Sequence, residues 1–126
     1  MSTNNYDWAE LLLQCAKLPV GLNLCNVLRW MAAENPPRYW WRDNNPLNVA
    51  DFTGAGAGFA SLEVGAVQTA KVLLQPNMAP LANVLRAQGT TAQFSAAAHE
   101  VPWAASRYYS ATYIASIPVP GVITAP

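Results

Sequence analysis

The chain has 126 residues, 52% of them hydrophobic and 11% charged, which is enough apolar material to bury one core and too little length for a second; a disordered chain is excluded. Seven basic and seven acidic side chains cancel to a formal net charge of zero, so the electrostatic footprint of a nucleic-acid binder or of a protein bound to an anionic membrane is missing and a neutral or mixed partner fits better. Two cysteines and a single histidine are too few for a four-ligand zinc site, and no cofactor is expected.

Met1 to Asp7 is polar and lacks the charged-then-apolar pattern of a secretory leader. No apolar run approaches the roughly 20 residues that span a bilayer, so membrane insertion is not expected. From Tyr6 to Leu18, the residues Trp8, Leu11, Leu12, Cys15 and Leu18 recur at helical spacing, and Pro19 and Gly21 stop that helix. Asn23 is the expected cap of a second helix, with Leu24, Val27, Leu28 and Met31 as its stripe and Glu34 at its end before Pro36 and Pro37. Cys15 and Cys25 both fall in these apolar patterns, which reads as buried free thiols, or as a disulfide if the two helices meet there.

Between Asn35 and Gly58 the pattern changes to aromatic and turn residues: Tyr39, Trp40 and Trp41, then Asp43, Asn44, Asn45 and Pro46. A loop is expected here, with a short hairpin over Leu47 to Phe52. The run Gly54-Ala55-Gly56-Ala57-Gly58 lacks the spacing and the strand-to-helix context of a dinucleotide fingerprint, and reads as a flexible loop, a lid over a cleft. Ser61, with Glu63 in the first turn, opens a third helix through Leu74 that closes before Pro76. A fourth spans Pro80 to Gly89. Thr91 caps a fifth, with Phe94 and Ala97 inward, ended by Pro102, and a sixth runs from Ser106 to Ile117. Pro118, Pro120, Gly121 and Pro126 then read as an extended tail or linker. The expected organisation is one mainly α domain over 1–117, five to six short helices around a loop or small β-hairpin insertion, followed by a Pro-rich tail over 118–126 that leads to any further module.

Three groups carry chemistry. Glu34 closes an apolar helical stripe and precedes a dense aromatic segment, surroundings that disfavour an anion and suit a general acid; alternatively it is a solvated carboxylate at a helix end, where the dipole costs it a few tenths to about 1 kcal/mol. Trp40 and Trp41, with Tyr39, Trp30 and Trp103, suit the apolar faces of sugar rings, with Asn44, Asn45 and Asn48 as partners for hydroxyls; the alternative is a core cluster. Two adjacent tryptophans cannot both point inward from one face, so at least one of Trp40 and Trp41 is expected at a surface or cleft. His99, beside Glu100 and before Pro102, reads as a helix terminus, and no serine sits in a nucleophile-elbow pattern.

The order of these pieces resembles a known family. A helix ending in Glu34, then Asn44-Asn45-Pro46-Leu47-Asn48-Val49, then Phe59-Ala60-Ser61-Leu62-Glu63 leading a helix, then Trp103-Ala104-Ala105-Ser106-Arg107-Tyr108-Tyr109 resembles the glucosaminidase branch of the lysozyme-like peptidoglycan hydrolases, over residues 22 to 117. It is also similar to domains of phage lysins and phage tail-associated wall hydrolases. The resemblance implies an α+β lysozyme-like fold, peptidoglycan glycan strands as partner, Glu34 as general acid, Asn44 and Asn45 shaping the cleft floor, and Trp103 and Tyr109 lining the groove, with Tyr108 beside them. A second group must stabilise or attack the oxocarbenium-like centre: the substrate's own acetamido group or a carboxylate, of which Asp51 ranks before Asp43 and Glu63 because it falls in the hairpin-like loop. The expected activity is an N-acetylglucosaminidase or muramidase type; the alternative is a non-catalytic peptidoglycan-binding or phage structural module. Lacking a leader pattern, the protein is expected to be made in the cytoplasm and to reach the wall after release or inside a phage particle.

Overall fold

Asn4 begins the first helix by a reciprocal cap: its side-chain oxygen accepts from the Asp7 N–H at 2.8 Å, and the Asp7 carboxylate accepts from the Asn4 N–H at 3.4 Å. Helix α1, Asn5–Cys15, then buries Trp8, Ala9, Leu12 and Leu13. This computed structural model describes residues 3–49, 58–103 and 110–126.

Helix α2 spans Asn23–Glu34, but Asn23 does not cap it. Its side-chain amide is fully buried inside the first turn and donates to the carbonyls of Pro19 and Leu85, both at 2.7 Å. The cap is Leu22, whose N–H donates to the Gln88 side chain at 3.0 Å. Gly21 makes room for this: its φ is +23°, and a Cβ there would collide with the same Gln88 amide.

A single turn not anticipated from the sequence, α3, covers Pro37–Trp40 with proline in its first position. Helix α4, Leu62–Leu73, is capped by Ser61, whose hydroxyl accepts from the Val64 N–H at 3.1 Å. A 3₁₀ turn at Pro76–Met78 leads into α5, Ala79–Arg86. Helix α6, Thr91–Glu100, takes its cap from Thr90 rather than Thr91, with Gln93 closing the reciprocal box. Of the expected sixth helix, 106–109 lie outside the described residues, and only the turn α7, Tyr113–Ser116, is helical in the rest.

The fold is one mainly helical domain. Helix α1 packs between α4 and α2, α5 on α6, and α7 bridges α6 and α2. The core holds Trp8, Trp30, Trp40, Phe94 and Leu81, all fully buried. Trp8 donates to the Leu62 carbonyl at 3.0 Å and so fixes the start of α4. Among the described residues the only β feature is an antiparallel bridge between Asn4 and Thr124; Leu47 to Val49 form no strand, and the rest of the expected hairpin lies outside them. Both cysteines are free; Cys25 is exposed and Cys15 half-buried, so neither is the fully buried thiol expected. Among the described residues no helix is long and apolar enough to cross a membrane.

The Pro-rich segment is extended, as expected, but it is part of the domain rather than a free linker. Asn5, fully buried, donates its side-chain amide to the Gly121 carbonyl at 2.9 Å and accepts from the Ile123 N–H at 2.7 Å. The Tyr6 hydroxyl donates to the Pro120 carbonyl at 2.8 Å, and Val119 and Ile123 pack on the core. Replacing Asn5 by Ala leaves two backbone groups without partners, so denaturant unfolding is expected to show a loss of about 2 kcal/mol, with amide exchange accelerated first at 121–123.

Candidate functional site

The C-terminus of α2 is closed by an indole. The Trp40 Nε1–H donates to the carbonyls of Met31 and Asn35, both at 3.0 Å, the first of which also accepts from the Asn35 N–H at 3.1 Å. Glu34 ends that turn. It is half-buried, and both of its carboxyl oxygens are out of contact with solvent.

Side chains four apart share a helix face, so Glu34 lies one turn beyond Trp30 on the same side of α2. The Trp30 ring meets Trp103 at 4.6 Å between centroids and Phe94 edge-on at 5.7 Å. Trp103 in turn donates to the Leu47 carbonyl at 2.9 Å. The Glu34 face of α2 is therefore turned toward the asparagine loop and Trp103.

That loop is pinned by its own side chains. Asn44 and Asn48 have φ of 54° and 52°, left-handed conformations that asparagine tolerates better than most residues. Asn44 donates to the Phe59 carbonyl at 2.8 Å, and the Phe59 N–H donates to Asp43 at 3.0 Å. Asn45, 4% exposed, donates to the Val49 carbonyl at 3.0 Å and accepts from its N–H at 2.9 Å. Gly65 of α4 sits directly on the Asn44 carbonyl, with no room for a Cβ. The segments around Glu34, Asn44 to Val49, Phe59 to Gly65 and Trp103 are thus tied into one neighbourhood by packing and hydrogen bonds.

Several expected ligand contacts take other places. Trp40 is fully buried and Trp103 is 5% exposed, because both indoles are spent on closing backbone carbonyls inside the core. Buried Asn45 and the engaged amide of Asn44 shape the loop and do not offer their side-chain donors to a sugar. Trp41 is half-buried, edge-on to Trp40 at 6.0 Å and 84°, so of the two adjacent tryptophans one turns in and the other reaches the surface. The Trp41 Nε1–H is shielded from solvent and has no hydrogen-bond partner among the described residues. Asn48 is half-buried, and His99 and Glu100 are exposed at the end of α6. Asp51, Tyr108, Tyr109 and 54–57 of the glycine-rich run lie outside the described residues.

The sequence reading missed a cationic group beside the site. The guanidinium carbons of Arg38 and Arg42 stand 4.8 and 4.9 Å from the centre of the Tyr39 ring, within cation–π range. Hydrogen bonding and then charge from Arg38 hold the Tyr39 phenol below its ordinary 10.0, with slight burial opposing and the charge of Arg42 adding to the effect. Two arginines four apart around a tyrosine are the signal that pointed there. In Arg38→Gln, the near-ultraviolet phenolate titration of Tyr39 is expected to move back up toward 10.0; an unmoved titration contradicts the pairing.

Among the described residues no three His, Cys, Asp or Glu side chains gather to hold a metal ion. An open depression of about 470 Å³ lies between α5 and α6, lined by Asn83, Val84, Gln93 and Glu100 among others; none of the expected site residues lines it. Compared with known proteins, the chain matches no family model, no curated protein and no solved structure.

Proposed function

We propose that the protein cleaves the glycan strands of bacterial peptidoglycan, as an N-acetylglucosaminidase or muramidase type of hydrolase on a lysozyme-like α+β plan, with Glu34 as general acid. The observation that carries this reading is the placement of Glu34: a carboxyl group held at the closed end of α2, both oxygens kept from water, on the face turned toward the asparagine loop and Trp103. The carboxyl group follows an apolar helical stripe and precedes the aromatic residues Tyr39, Trp40 and Trp41, the kind of setting in which glycoside hydrolases keep a general acid. A proton kept at neutral pH is what protonation of a glycosidic oxygen requires. Trp41, half-buried beside this end of the helix, is the indole best placed to pack on a sugar face. The oxocarbenium-like centre is stabilised by the acetamido group of the substrate or by Asp51. The protein acts at the wall after release from the cytoplasm or from a phage particle.

One observation favours a second reading. Trp40, Trp103 and Asn45 are consumed by the core, which leaves fewer side chains to grip a sugar than a hydrolase groove uses and suits a peptidoglycan-binding or phage structural module without turnover. Clearing of purified wall suspensions separates the two. The wild type is expected to clear them and Glu34→Gln to bind without clearing; walls left intact by the wild type assign the module instead.

A further inference from the structure

The Arg38, Tyr39 and Arg42 group is an exposed cationic device next to the turn that carries Glu34. Tyr39 is 37% exposed, and Arg38 and Arg42 lie in the exposed class with it. Both guanidinium groups are held against one aromatic ring, which orders two long side chains that otherwise lose much rotamer freedom when they bind anything. Arg42 has one oxygen of Asp43 at 3.5 Å, with the two side chains 67% and 54% exposed, a contact that water and salt weaken greatly. Among the described residues no carboxylate pairs with Arg38. In a chain of zero net charge, two of the seven basic residues are therefore gathered on one exposed ring. A guanidinium fork matches a planar carboxylate by two parallel hydrogen bonds.

We propose that Arg38 and Arg42, ordered on the Tyr39 ring, form a subsite for carboxylate groups carried by the glycan strand, the free carboxylates of the peptidoglycan stem peptide or, where that peptide is missing, the lactyl carboxylate. This rests on the reading of Glu34 above, because it takes the same polymer. It adds what that reading does not contain: preference for an acidic strand over a neutral one such as chitin. Arg38 supplies one guanidinium and Arg42 the second, both over the same ring.

The test uses Glu34→Gln full-length protein, so that binding is read without cutting, on purified walls stripped of phosphodiester polymers and on the same walls with their carboxyl groups capped as amides. The Glu34→Gln protein is expected to bind the uncapped walls about tenfold more tightly than the capped ones, the scale of two exposed charge pairs. Adding Arg38→Gln and Arg42→Gln is expected to bring both affinities to the capped value. The Lys pair at these positions recovers only part of the difference, because it keeps charge and loses the fork. A soluble muramyl peptide is also expected to raise the Tyr39 titration, since a bound carboxylate offsets the guanidinium charge; both arginines are exposed, so the variants keep the fold. Equal binding to capped and uncapped walls overturns the subsite, as does carboxylate dependence that survives removal of both arginines. Neither result touches the cutting assay of the wild type, so failure of this subsite and failure of the hydrolase reading are told apart.

Discussion

Glu34→Gln is expected to lower the rate of wall cleavage by about 10²- to 10⁴-fold, the contribution of a positioned general acid, while near-ultraviolet circular dichroism stays that of the wild type. Gln fills the same volume at the end of α2 and cannot deliver a proton. The surrounding turn is held by Trp40 through the Met31 and Asn35 carbonyls, and an unchanged circular dichroism spectrum shows that the loss reads chemistry rather than folding. A Glu34→Gln protein that clears walls at the wild-type rate contradicts the assignment.

Gly65→Ala is expected to destabilise the fold by about 1–2 kcal/mol, with a fall in wall clearing as its companion. In an exposed helix interior the same change gains about 1 kcal/mol, because glycine is a poor helix former. Here the new methyl group meets the Asn44 carbonyl, a backbone atom that cannot rotate away, in a loop fixed by the Asn44 to Phe59 and Phe59 to Asp43 bonds. Overpacking of this kind costs about 1–3 kcal/mol and outweighs the helical gain. Gly65→Val, larger and β-branched, is expected to cost about 3 kcal/mol. Thermal melts read the sign directly: a raised midpoint for Gly65→Ala shows that the loop gives way freely and is not what α4 holds in place.

Local chemistry was the readable part of this chain. Ser61 caps α4 as its hydroxyl and the following Glu63 imply, and prolines at 19, 36, 76 and 102 bound helices because proline lacks the N–H a helix needs. Asn23 shows the limit: an asparagine before an apolar stripe reads as a cap, but its amide is drawn inward by the Leu85 carbonyl, a partner far along the chain. The docking of the Pro-rich segment on Asn5 and Tyr6 depends on the same kind of distant pairing, and its composition alone matches a solvated linker. At the site, the sequence placed Glu34 at a helix end and expected one of the two adjacent tryptophans to reach a surface. It did not show which one, because that is decided by the carbonyls at the end of α2, to which Trp40 is bound. The same competition took Trp103 and Asn45 into the core: an indole or amide that closes buried backbone groups contributes more there than at a surface.

Mass spectrometry of the soluble fragments released from purified, phosphodiester-free walls tests the central claim most directly. Wild-type protein is expected to release disaccharide-peptide fragments ending in a sugar reducing end, or in its 1,6-anhydro form if the C6 hydroxyl of the cleaved sugar attacks in place of water, and Glu34→Gln is expected to release none above background. Fragments cut only within the peptide, or intact walls after incubation with active wild-type protein, contradict it.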